Sequence, residues 1–145
     1  VFTEREVRSR TEIMLENYSK VLTIEALTMI EMGKKDIFPA VNTYISDLCA
    51  AVSAKSSMGA SCEAEKELIK KLSASNEAMY FKIGEIEQLL VEVKGITDVE
   101  KAARFFADKI IPVMQEMRAY ADDMEVNTAK KYWPFPTYGD ILFSV

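Results

Sequence analysis

The sequence predicts an all-α protein: an elongated antiparallel three-helix bundle with a long kinked first helix and an extended aromatic C-terminal tail. Two periodicities and one short connection carry that expectation. Residues 97–131 hold one apolar stripe at alternating spacings of four and three, and residues 62–94 hold a seven-residue repeat. Only Gly95, Ile96 and Thr97 join them, so these two helices form a tight hairpin, each roughly 50 Å long at 1.5 Å per residue. The 145 residues read as a single helical domain, 1–145, long enough for a real core.

Helix one is expected over about 4–54. Val7, Met14, Tyr18, Val21, Ile24 and Thr28 form a loose stripe, and Ile37, Val41, Tyr44, Leu48 and Val52 a cleaner one. Gly33 and Pro39 separate the two. Proline removes a backbone donor and its ring clashes with the carbonyl four residues back, here that of Lys35, at roughly 3 kcal/mol if nothing relaxes. The expectation is one helix kinked near 33–39, with two separate helices as the alternative. Ser53–Ser61 is small and polar and reads as a loop, with Ser61 as the N-cap of helix two.

Helix two is expected over about 62–94, stopped by Gly95. Ile69, Asn76, Ile83 and Leu90 occupy heptad a positions, and Leu72, Met79, Ile86 and Val93 the d positions. Asparagine at an a site either sets the register or sits partly exposed, and partial exposure is the preferred reading. Helix three is expected over about 98–131, with Val99, Ala103, Phe106, Ile110, Val113, Met117, Tyr120 and Met124 on its stripe. Thr97-Asp98-Val99-Glu100 has the form of a capping box. Pro112 inside this helix predicts a kink that lets it wrap its neighbour. The later half of helix one supplies the third face, so roughly its first twenty-five residues overhang the hairpin turn, at 1.5 Å each.

The tail, 132–145, changes character. Tyr132-Trp133-Pro134-Phe135-Pro136-Thr137-Tyr138-Gly139-Asp140-Ile141-Leu142-Phe143 is aromatic and proline-rich, extended by its prolines, with a turn at Tyr138-Gly139-Asp140. A segment this apolar either caps its own bundle or docks on another domain or subunit.

Composition narrows the chemistry. With no histidine, Ser-His-Asp and Cys-His catalysis, HExxH zinc sites and the Glu-x-x-His di-iron bundle are all excluded within these residues. The five glycines are isolated, so no phosphate-cradling loop is present. A net charge of −5, with Lys and Arg scattered among acids, argues against nucleic acid as a partner. No apolar run reaches the length of a membrane span, and no signal peptide is visible, so the expected location is cytoplasmic, with no membrane partner. Cys49 and Cys62 are expected as free thiols. The chain opens Val1-Phe2-Thr3-Glu4 without an initiator Met, which suggests a piece of something longer.

The aromatic tail resembles the extreme C-terminus of type III glutamine synthetases, a bacterial family. The opening is also similar, at Phe2-Thr3-Glu4, Ser9-Arg10-Thr11-Glu12-Ile13, Glu16-Asn17-Tyr18 and Ile24-Glu25-Ala26-Leu27-Thr28-Met29, and so is Ile37-Phe38-Pro39-Ala40. The hairpin between them matches mainly in pattern. The resemblance implies a fragment of a large ring-based oligomer that joins ammonia to glutamate using ATP and Mg, held by an upstream catalytic domain. No catalytic, cofactor-binding or metal residue carries over to this chain. Glu63-Ala64-Glu65 has the spacing of a metal pair, but neighbouring helix positions diverge. The fragment alone is expected to be inactive.

The expected function is therefore a non-catalytic C-terminal helical domain with a structural or assembly role in its parent ligase. Its partners would be the catalytic domain of the same chain and neighbouring subunits of a homo-oligomer. The candidate contacts are Tyr18, Val21, Leu22 and Ile24 on helix one, and Trp133, Phe135, Tyr138 and Phe143 in the tail. The alternative is a free-standing helical adaptor or ligand-sensing bundle, with a groove lined by methionines such as Met79, Met114, Met117 and Met124. Asp122, Asp123 and Glu125, with Glu25 and Glu31, read as solvated acids rather than a carboxylate metal site.

Overall fold

A computed structural model of the chain describes residues 3–136, and they are all-helical, without a strand. The first rod is α1 (Glu4–Met32), a π turn (Gly33–Ile37) and α2 (Phe38–Ser57). The second is α3 (Glu63–Lys94), and the third is α4 (Val99–Phe105), a π turn (Phe106–Ile110) and α5 (Ile111–Asn127).

Both interior prolines are accommodated in the same way. The Phe38 N–H donates to the Gly33 carbonyl and the Ile111 N–H to the Phe106 carbonyl, each five residues back. The widened turn lets Pro39 and Pro112 stand in the opening turn of a fresh α segment, where a missing N–H costs little. The chain thus passes each proline without leaving the helix. The first π turn also brings helix one close to its neighbours. A Cβ on Gly33 would lie 2.7 Å from both Ile83 Cδ1 and Met117 Cε.

Contacts between the rods step in a regular order. Lys55 pairs with Glu65 at 2.8 Å, Asn76 Nδ2 donates to the Phe38 carbonyl at 3.2 Å, and Lys34 pairs with Glu87 at 3.0 Å. Ser75 donates to Asp123 at 2.9 Å, and Lys82 pairs with Glu116 at 2.6 Å. The core they enclose includes Ala26, Ile30, Ile37 and Val41 from the first rod and Leu72, Met79, Ile83 and Ile86 from the second. The third adds Phe106, Ile110, Met117 and Met124. Every one of these removes apolar surface from water, which is the main favourable term in folding.

Several expectations need correction. The loose stripe of helix one does not face the core. Val7, Met14, Tyr18, Val21, Ile24 and Thr28 are exposed, while Ala26 and Ile30 are buried and Leu15, Ser19, Leu22, Thr23 and Met29 are half-buried. Small residues on the other face allow the closer approach. The overhang is shorter than expected, because burial begins at Leu15, and Ser19 already borders Ile96 and Ala102 of the third rod and its approach. Asn76 is 2% exposed rather than partly exposed, since its amide faces α2.

The caps differ as well. Asp98, not Thr97, caps the third rod, its carboxylate accepting from the Lys101 N–H at 3.0 Å. Cys62 occupies the cap position of α3 without a side-chain bond, so Ser61 lies one residue outside. α2 runs on to Ser57, and the turn that follows is made by Gly59 at φ 74°, a left-handed conformation that favours glycine. α5 stops at Asn127, short of 131, where Thr128 turns extended at ψ 135°. Both cysteines are free, Cys49 exposed and Cys62 buried.

Candidate docking surfaces

The exposed face of α1 follows from its sequence. Val7, Met14 and Val21 recur every seven residues, and Tyr18 and Ile24 flank them at helical spacing, so one side of the helix is apolar. The opposite side, through Ala26 and Ile30, is the one that meets the bundle. The helix therefore has two apolar faces and only one is covered. Ile24 is 65% exposed, and Val7, Ile13, Met14, Val21 and Leu27 are exposed with it. A capping box that periodicity does not reveal starts this helix. The Thr3 N–H donates to Glu6 Oε2 at 3.1 Å, and the Glu6 N–H donates to Thr3 Oγ1 at 3.2 Å.

Of the eight candidate contact residues, the structure places six. Tyr18, Val21 and Ile24 are exposed. Leu22 turns the other way and packs, half-buried, on the core. Trp133 and Phe135 are also half-buried against the core, their rings edge to face at 6.4 Å. Tyr138 and Phe143 lie outside the described residues.

The start of the tail is anchored on α2. Tyr132 stacks on Tyr44 with ring centroids 4.8 Å apart, and its hydroxyl donates to the Asp47 carboxylate. That hydrogen bond, with smaller help from desolvation and the Asp47 charge, holds the phenol above its ordinary value of 10.0. Lys131, 5.0 Å over the ring, opposes the shift slightly. Beyond it, Trp133, Phe135 and Pro136 close one side of a groove of about 370 Å³ whose other walls include Met29, Met32, Ile37 and Met117. Arg118, Asp122 and Glu125 border it.

Among the described residues no group of three or more His, Cys, Asp or Glu side chains is placed to hold a metal ion. Lys82 is held above its ordinary value by Glu116 and then Glu85, and Lys55 and Glu65 stabilise each other's charged forms. These are surface ion pairs rather than isolated acids or bases in a cleft.

Comparison with known proteins finds a family likeness in the first rod. Residues 1–56 match the glutamine synthetase C-terminal domain. The whole chain is 36% identical, over 147 aligned residues, to a glutamine synthetase of Butyrivibrio fibrisolvens, covering 21% of that protein. A type-3 glutamine synthetase of Dictyostelium discoideum is 28% identical over 95% of the chain and 20% of its own length. A glutamine synthetase of Bacteroides fragilis (strain YCH46) is 22% identical over 99% of the chain and 21% of its own length. The chain thus spans about a fifth of the length of the curated relatives it matches. The matched segment, 1–56, contains the uncovered face of α1.

Proposed function

We propose that this chain is the non-catalytic C-terminal helical domain, 1–145, of a glutamine synthetase, and that it shapes or stabilises the assembly of that longer protein. The observation that carries the reading is the uncovered apolar face of α1, from Val7 to Leu27. Single exposed apolar residues are ordinary, but a continuous stripe on one helix face is a contact surface awaiting a partner. The catalytic region of the same polypeptide and neighbouring subunits of a homo-oligomer are the partners proposed for it. The reverse order of contacts between successive rods supports an elongated antiparallel bundle, with Trp133 to Pro136 lying beside the first and third rods.

The parent's reaction, ATP-dependent ligation of ammonia to glutamate with a divalent metal, is proposed from the named relatives. ATP and Mg are proposed for the catalytic region of the parent; among the described residues no group of three or more His, Cys, Asp or Glu is placed to hold a metal ion. Cytoplasmic location in a bacterium belongs to the same proposal. Sedimentation of the full-length protein carrying Val21→Glu and Ile24→Glu tests it. Loss of the native oligomer, with unchanged helicity in this chain, is expected; an oligomer indistinguishable from the parent's sinks the assembly role.

One observation favours the adaptor or sensor reading, namely the methionine-lined groove beneath Trp133 and Phe135. Trp133 is the sole tryptophan, so its fluorescence reports on that groove directly. Saturable quenching by 1-anilinonaphthalene-8-sulfonate, lost in Met117→Ala, is what a ligand-binding groove would give. An unchanged spectrum removes this reading.

A further inference from the structure

A second groove lies between α2 and α3, away from the α1 face. Phe38 and Asn42 from α2, and Ser73, Asn76, Glu77, Tyr80 and Phe81 from α3, enclose about 420 Å³. Its rings are contiguous. Phe38 and Tyr80 are 5.2 Å apart, and Tyr80 and Phe81 meet edge to face at 5.9 Å. Tyr80 is 47% exposed and Phe81 64%. Neither serves the helix's own a and d positions, so the bundle does not need them there.

The polar groups in this groove favour one kind of guest. No Lys or Arg lines it. Glu77 forms no ion pair among the described residues. The Phe38 carbonyl only accepts, so the Asn76 amide nitrogen must face it, at 3.2 Å; the Asn76 Oδ1 is then left buried with no donor. An unpaired carboxylate beside exposed aromatic rings calls for a flat cation rich in N–H groups. A guanidinium has that shape, and an ammonium, being a compact point charge, does not. The backbone beside the rings is also bare. Gly84 stands three residues after Phe81 and four after Tyr80, and a Cβ there would meet nothing within 4 Å. That leaves room for the main chain that carries such a side chain.

We propose that this groove docks an arginine side chain presented by another polypeptide segment, with the guanidinium over Tyr80 and Phe81 and its N–H groups on Glu77. The proposal goes beyond the assembly role above, since it names a different face and a specific guest. It stands whether or not the longer protein is a synthetase.

Titration of this chain with acetyl-Gly-Arg-amide, followed by NMR at the Gly84 amide and the Asn76 side-chain amide, tests it. Saturable shifts are expected, and the citrulline analogue, which lacks the charge, should produce none. Glu77→Gln should weaken binding about fivefold, the loss of one exposed charge contact. Phe81→Ala, at an exposed position that leaves the core intact, should weaken it at least as much. Absence of saturation, equal binding of the citrulline peptide, or an unchanged affinity in both variants overturns the proposal. Equal binding of free arginine, whose α-carboxylate Glu77 should repel, also overturns it in favour of a small-molecule site.

Discussion

The first dozen residues of α1 and the length of α5 are similar in kind, both regular helices with apolar side chains at helical spacing. They differ in what covers them. In α5, Val113, Met114, Met117 and Met124 are buried between the other rods. In α1, residues 4–14 are all exposed, Val7, Ile13 and Met14 included. An apolar pattern therefore states that a helix has a partner, not that the partner lies in the same chain. The covered region explains why the domain folds. The uncovered one is where its function is to be sought.

The comparison breaks most readily at Phe106 and Ile24, two large apolar residues with opposite burial. Phe106 is 2% exposed at the start of the second π turn, and Ile24 is 65% exposed. Phe106→Ala removes a ring from a packed core and is expected to cost about 3–5 kcal/mol, lowering Tm by roughly 10 °C or more. Ile24→Ala should stay within about 0.5 kcal/mol of the parent chain. Thermal unfolding followed by circular dichroism measures both. Similar losses at the two sites would mean that α1 is covered within this chain, and the assembly proposal would lose its basis.

Asn76 sharpens the same comparison inside the covered region. Its Nδ2 donates to the Phe38 carbonyl at 3.2 Å and to Asn42 Oδ1 at 3.3 Å, while its own Oδ1 has no partner. Asn76→Ala removes both bonds and leaves a small cavity, for an expected loss of about 1–2 kcal/mol. Asn76→Leu fills the space and also removes the orphaned oxygen, so it should cost less than the alanine. Urea denaturation ranks the two. If leucine is the more damaging, the branched side chain does not fit the space that the amide occupies between α2 and α3.

The covered part of the molecule was the legible part. The stripe from Val99 to Met124 and the repeat from Leu72 to Val93 are one-sided patterns, and one-sided burial is what periodicity reports. Helix one misleads because it is apolar on two faces, and its buried face is built partly from Ser19, Thr23, Ala26 and Gly33. A hydrophobicity pattern passes over such small residues. The prolines located the two π turns, but a constant turn of 3.6 residues cannot show that the helix would widen there. Caps moved by a residue, as helix ends commonly do. Burial of Asn76 depends on which carbonyl α2 brings opposite it, and only the packed register decides that. The groove of Phe38, Tyr80 and Phe81 did have a signal: two adjacent aromatics outside the a and d positions.

The smallest effect is expected where the tail leaves the bundle, at Tyr132. Its phenol is raised above 10.0 chiefly because the protonated hydroxyl donates to Asp47. The folded state thus holds this proton more tightly than the unfolded chain does. Its contribution to stability is fully present below about pH 10, the ordinary tyrosine value, and is lost as pH rises through the higher folded value. Phenolate absorbance, taken as the difference between the parent chain and Tyr132→Phe, should show a titration above that of free tyrosine. Asp47→Asn should bring it back toward 10, because an amide carries no charge and favours the neutral phenol less. Tyr132→Phe should also lose stability less steeply than the parent above pH 10. A phenol that titrates at the ordinary value would show that the tail is not held on α2 in solution. Trp133 and Phe135 would then join the uncovered face of α1 as surface available to a partner.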